Sequence, residues 1–127
     1  MSGRITTHVL DLAGGKPVNG MTMELWYLGK EAESMEAGEM PQLMGCYQTN
    51  TDGRADTPLL EGEAVLPGVY ELIFAAGRYF RQMEHLSAIK DSIFDFIPIR
   101  FHIKDAAGHY HVPLLVAPGG YSTYRGS

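Results

Sequence analysis

Apolar and polar positions alternate with period two in two runs of this chain. From Met21 to Leu28 one side carries Met21, Met23, Leu25 and Tyr27. From Phe96 to Ile103 one side carries Ile97, Ile99, Phe101 and Ile103, with Arg100 and His102 opposite. Successive strand side chains point to opposite faces, so each run predicts a strand with one face in a core. Ile5–Asp11 is a shorter, β-branched strand with Thr6, His8 and Leu10 on one face and Ile5, Thr7 and Val9 on the other. His8 therefore faces either the interior, as a core histidine with a satisfied ring, or a surface that a second subunit covers. Gln42–Gln48 and Val69–Phe74 complete the central strands, the latter led in by Pro67-Gly68. One segment breaks the period: between Gly77 and Ile89, Tyr79, Phe80, Met83, Leu86 and Ile89 recur at helical spacing and predict one short helix.

Turn residues punctuate these runs. Ala13–Pro17 and Asp105–Gly108 are turns, and Asp52-Gly53 is the strongest hairpin or turn signal, because glycine takes φ > 0 without steric penalty. Arg54 leaves that turn at its rim: a solvated arginine by default, yet a tight turn also aims a guanidinium well. Residues 29–41 are Glu- and Gly-rich and read as a solvated loop, without the Asp/Asn/Gly spacing of a calcium site. The tail carries His109, His111, an apolar run to Val116, a Pro118-Gly119-Gly120 turn and then Tyr121-Ser122-Thr123-Tyr124-Arg125-Gly126-Ser127. Two strands joined by a turn, dense in hydrogen-bonding groups, are an unusual use of a chain end. Seven or eight short strands with a single helix describe an all-β, antiparallel β-sandwich, one domain over residues 1–127.

Composition narrows the partners. Fifteen acidic and ten basic residues give a net charge of −5, which argues against nucleic acid or a membrane surface. Apolar residues make up 45% of the chain, ordinary for a globular protein. The single cysteine, Cys46, forms no internal disulfide and reads as a small buried hydrophobe. The first residues hold no apolar leader and no later stretch reaches spanning length, so a soluble, cytoplasmic protein is expected.

Five histidines invite a metal site. His109 and His111 share a strand face, and His8 or His102 would have to complete the set. No Cys-x-x-Cys, His-Glu-x-x-His or acidic cluster supports it, and the expectation is no metal. A serine triad lacks its glycine elbow, and Gly119-Gly120 is too short for a phosphate cradle. What remains is a metal-free group of His8, Arg54 and His111. Neutral imidazoles take protons from water near neutral pH, and a guanidinium binds carbonyl-rich planar ligands and the oxyanion formed on attack. Spacing alone does not bring the three together.

Thr6-Thr7-His8-Val9-Leu10-Asp11, Thr49-Asn50-Thr51-Asp52-Gly53-Arg54, Tyr110-His111-Val112-Pro113-Leu114-Leu115 and the closing Tyr-Arg-Gly-Ser together resemble the 5-hydroxyisourate hydrolases of the transthyretin-related family, over essentially the whole chain. The terminal tetrapeptide separates those hydrolases from transthyretin, the hormone carrier. The resemblance implies an eight-stranded transthyretin-like sandwich, a homotetramer with its site in a channel at the dimer–dimer interface, and no cofactor. It implies catalytic roles for His8, Arg54 and His111, substrate contacts from Tyr124 and Arg125, and closure of the pocket by Ser127. The implied reaction opens the six-membered ring of 5-hydroxyisourate to 2-oxo-4-hydroxy-4-carboxy-5-ureidoimidazoline. Ala117-Pro118-Gly119-Gly120 departs from the family, which commonly carries Ser and a larger residue there, and residues 29–41 and 84–92 are less family-like. The rival expectations are a carrier that binds an aromatic ligand in the same channel without turnover, and a structural module that only assembles.

Overall fold

The computed structural model describes residues 3–30, 40–82 and 93–126. The sequence expectations for residues 31–39, the helical spacing from Met83 to Ile89, the variable stretch 84–92 and the role of Ser127 lie outside the described residues.

The alternating runs became strands. β1 is Arg4–Thr6, β2 Val9–Asp11, β3 Lys16–Pro17, β4 Thr22–Gly29, β5 Gln42–Gln48, β6 Leu60–Glu61, β7 Gly68–Ala75, β8 Phe96–Ile103, β9 His109–His111, β10 Leu114–Ala117 and β11 Gly120–Thr123. One α-helix, α1, spans Ala76–Arg81, and a 3-10 turn spans Gly62–Ala64. None of the described helices is long and apolar enough to cross a membrane.

One layer is the antiparallel sheet β5-β4-β7-β8. Its inner face stacks in rows: Met23 beside Phe74 and Ile97, Leu25 beside Leu72 and Ile99, Tyr27 beside Tyr70 and Phe101. The aromatic row packs with ring centroids 5.0 Å apart for Tyr27–Tyr70 and 5.8 Å for Tyr70–Phe101. Cross-strand pairs of this kind contribute about 0.2–1 kcal/mol each beyond burial. Cys46, expected to be buried, is exposed: it lies opposite Glu24, on the outer face of this sheet.

The second layer comprises β6-β1-β9 and β11-β10-β2-β3. These are one continuous surface, because β1 and β2 belong to one strand interrupted at Thr7 and His8. The pairing of that strand is parallel: Arg4 beside His109, Ile5 beside Tyr110 and Thr6 beside His111, then Val9 beside Leu114 and Leu10 beside Leu115. The register is the same on both sides of the interruption. Pro113, without an N–H, sits opposite His8. Buried Thr7 mends the break, its Oγ1 donating to the Val112 carbonyl at 2.7 Å. Ile5, Val9, Leu114 and Val116 point inward onto the first sheet and are fully buried. Each such side chain contributes roughly 1.5–3 kcal/mol by leaving water.

Helix α1 is tied to this layer by buried Asp11. Asp11 Oδ1 accepts the backbone N–H groups of Ala13 and Gly14, both at 2.9 Å, and Oδ2 accepts the Tyr79 hydroxyl at 2.9 Å. Thr6, His8 and Leu10 thereby face away from the core, together with His109, His111 and Leu115 of the neighbouring strand. Of the two orientations left open for His8, the outward one holds.

Candidate active site

The outward face of β1 and β9 is the floor of a cavity of about 470 Å³, lined by Arg4, Thr6, Arg54, His109, His111, Tyr124 and Gly126. Paired residues of parallel strands share a face, so the floor is a ladder with Arg4 and His109 on one rung and Thr6 and His111 on the next. His8 follows at the sheet interruption, opposite Pro113.

Arg54 is delivered to this floor by the Asn50–Arg54 turn. Asn50 organises the turn: its Oδ1 accepts the N–H groups of Asp52 at 2.9 Å and Arg54 at 3.2 Å, and its own N–H donates to the Arg54 carbonyl at 2.8 Å. Gly53, at φ 77°, docks the turn on the first strand. Its carbonyl accepts the Val9 N–H at 2.8 Å. A Cβ there would stand 2.5 Å from the Val9 carbonyl oxygen and 3.2 Å from His8 Cδ2, so glycine is required for the approach.

Arg54 and His111 line one cavity, and His8 packs beside the Gly53 turn that carries Arg54. Burial lowers the His8 pKa, and the Arg54 charge lowers it further, against the opposing pull of a hydrogen bond to the Asp52 backbone and of the Asp52 carboxylate. Burial likewise lowers His111, followed by Arg54 and then His8. Both imidazoles are therefore held neutral near pH 7, as a proton acceptor requires.

His111 has a further partner that the sequence did not single out. Thr6 Oγ1 and His111 Nδ1 share a hydrogen bond of 2.9 Å. That bond occupies Nδ1 and leaves Nε2 as the nitrogen able to exchange a proton with a ligand. Period-two counting had placed Thr6 on the face of His8, but nothing local named a partner 105 residues away.

The tail closes back over His111. β11 pairs with β10, Thr123 Oγ1 donates to the Pro113 carbonyl at 2.7 Å, and the Gly126 N–H donates to the His111 carbonyl at 2.8 Å. A Cβ on Gly126 would collide with the His111 ring, meeting Cδ2 first and Cγ at 3.1 Å. Tyr124 lines the cavity. The Arg125 guanidinium lies elsewhere, 4.7 Å from the centre of the Tyr110 ring, with Nη2 donating to the His109 carbonyl at 3.2 Å. Tyr110 shares its rung with core-facing Ile5, so Arg125 clamps the tail to β9 from the side opposite the imidazoles.

His102, considered as a metal ligand, sits on β8 in the other sheet, beside Val69. Among the described residues no three His, Cys, Asp or Glu side chains cluster closely enough to hold a metal ion.

The two-layer β-sandwich has the fold of transthyretin: the chain is similar to the crystal structure of transthyretin from Sparus aurata, with TM-score 0.80 and 18% identity over 97% of this chain and 96% of that one. A family model described as "HIUase/Transthyretin family" matches residues 5–126, and the chain belongs to that family. It is 49% identical over 127 residues to the "5-hydroxyisourate hydrolase" of Halalkalibacterium halodurans, covering 100% of both chains. Among solved structures it is similar to the 5-hydroxyisourate hydrolase of Klebsiella pneumoniae, with TM-score 0.71 and 35% identity over 98% of this chain and 94% of that one. It is also similar to an (S)-allantoin synthase, with TM-score 0.85 and 40% identity over 99% of this chain. The match spans 44% of the synthase chain.

Proposed function

We propose that this protein hydrolyses 5-hydroxyisourate, opening its six-membered ring to 2-oxo-4-hydroxy-4-carboxy-5-ureidoimidazoline in urate degradation. The observation that carries this reading is the one cavity shared by Arg54 and His111, with His8 on the same outward face and beside the turn that carries Arg54. Full-length relatives named for this activity support it.

The chemistry follows from the three side chains. One neutral imidazole takes a proton from water, and the hydroxide adds to the ring carbonyl. Negative charge gathers on the former carbonyl oxygen, where the fixed positive charge of Arg54 stabilises it. Collapse breaks the ring C–N bond, the imidazolium returns its proton to the departing nitrogen, and the new carboxylic acid ionises to carboxylate. Tyr124 and Arg125 would hold the substrate from the tail, with Ser127 closing the pocket. For Arg125 this requires leaving the Tyr110 face or acting through the strand it clamps. No metal or organic cofactor takes part in this scheme.

We further propose a homotetramer working in the cytoplasm, with the outward faces of the β1/β9 layer paired across the dimer–dimer interface. The exposed Tyr124 and the half-buried Leu10 and Leu115 on that side support the pairing. The test adds freshly generated 5-hydroxyisourate and follows its ultraviolet absorbance. Decay faster than the spontaneous rate is expected. Saturable binding without acceleration would make the protein a carrier, and neither result would leave a module that only assembles.

A further inference from the structure

The cavity floor extends beyond the groups that the hydrolytic scheme uses. Arg4 lines it one rung past Thr6 and His111, with His109 as its rung partner on the same face. Rungs two residues apart on a strand are separated by ~7 Å. That span matches the distance between opposite edges of a small fused heterocycle.

Among the described residues, Arg4 carries an uncommitted charge. It is exposed, and it takes part in neither of the ion pairs among the described residues, Arg81–Asp95 and Arg100–Glu71. Glu61 lies opposite it on β6, yet the two side chains form no ion pair. Among the described residues no acidic side chain lines the cavity, while Arg4, Arg54, His109 and His111 all do. In a chain of net charge −5 this is a local concentration of cationic and donor groups, and such concave sites draw in anions.

We propose that Arg4, with His109 beside it, is a second anion-recognition point of this cavity, holding negatively charged planar oxygens at the end remote from His8. The inference rests on the hydrolase reading for its ligand, a polyoxo purine derivative, and extends it to which edge is gripped. A guanidinium offers two parallel N–H donors, which fit a carboxylate or the delocalised oxygens of an ionised heterocycle. Ring opening adds water, breaks one C–N bond and releases a carboxylate, so both substrate and product supply this chemistry.

Binding and turnover measurements on the full-length protein test the proposal. Urate, a planar monoanion at neutral pH, is titrated calorimetrically into wild type, Arg4→Gln, Arg4→Lys and Lys16→Gln, and neutral hypoxanthine serves as the uncharged comparison. Arg4→Gln is expected to weaken urate binding about tenfold, the effect of losing one charge-assisted contact at an open site. Hypoxanthine binding stays unchanged, Arg4→Lys recovers part of the loss, and Lys16→Gln, an exposed cation outside the cavity, behaves as wild type. In turnover, a raised KM assigns the gripped oxygens to the substrate. Weakened product inhibition at unchanged KM assigns them to the product carboxylate. Urate binding that is absent in wild type, unaltered by Arg4→Gln, or weakened in step with hypoxanthine overturns the proposal. An Arg4-dependent urate affinity in a protein that does not accelerate 5-hydroxyisourate decay would keep the anion site and remove the hydrolase reading.

Discussion

Replacing Thr6 by valine removes one atom's chemistry from the site and little else. Threonine and valine are both β-branched and suit a strand, so β1 should form as before. What disappears is the 2.9 Å hydrogen bond between Thr6 Oγ1 and His111 Nδ1. If His111 takes the proton at Nε2, Nδ1 carries hydrogen throughout and donates it to Thr6, and the bond becomes charge-assisted once the imidazolium forms. A neutral bond contributes about 0.5–1.5 kcal/mol and one to a charged group about 1.5–3 kcal/mol. The part gained only in the transition state lowers the barrier, and each 1.36 kcal/mol corresponds to a factor of ten in rate. Thr6→Val should therefore lower kcat by about 10- to 100-fold, with KM moving much less. That is smaller than the loss expected for His111→Asn, where general base catalysis worth about 10²–10⁴-fold disappears outright. Steady-state decay of 5-hydroxyisourate gives kcat and KM, and nitrogen chemical shifts of the His111 ring report the tautomer. Thr6→Ser, which keeps the hydroxyl, should restore most of the rate and the Nδ1–H tautomer. A Thr6→Val enzyme with wild-type kcat and an unchanged tautomer would refute the role. So would a loss matched by an equal loss in Thr6→Ser.

Other outcomes follow from the same geometry. Gly126→Ala should collide with the His111 ring and weaken the 2.8 Å bond to the His111 carbonyl; activity should fall at least tenfold, with melting displaced little because the tail is peripheral, and an active variant would remove the tail from the site. The lowered pKa values of His8 and His111 mean that the unfolded chain binds more protons than the folded one just below the ordinary value of 6.5. Stability should therefore decline as pH falls through that region, and the acid limb of kcat/KM should have its midpoint below 6.5. Arg54→Gln removes the second-largest cause on both rings, so both imidazole midpoints should climb towards 6.5 in an NMR titration, and fixed midpoints would separate Arg54 from them. Tyr79→Phe deletes one of the three donors to buried Asp11 and should destabilise the protein by about 1 kcal/mol in denaturant melts without touching kcat.

What could be read from residues alone was whatever local chemistry dictates. Alternation revealed β4 and β8 because their inner faces meet a core and their outer faces do not. Asp52-Gly53 revealed the turn that delivers Arg54, because few other residues accept that backbone conformation. The two-residue strands β3 and β6 carry too few positions to show a period, and Cys46 misled because a lone small side chain does not say which face of its strand is covered. The site itself is a matter of register. Thr6 meets His111, and Arg4 meets His109, across a parallel pairing of segments more than a hundred residues apart, and no spacing within either segment encodes it. Tail motifs rich in His and Tyr marked the right neighbourhood, while Arg4 and Thr6 look like ordinary strand residues until the partner strand is in place. That dependence explains the attention the fold gives to the interruption at Thr7. A slip of one residue between β1 and β9 would turn His111 towards the core and bring Tyr110 out to the cavity. The Thr7 hydroxyl on the Val112 carbonyl, beside a proline that donates nothing, opposes that slip at the point where the backbone ladder is weakest.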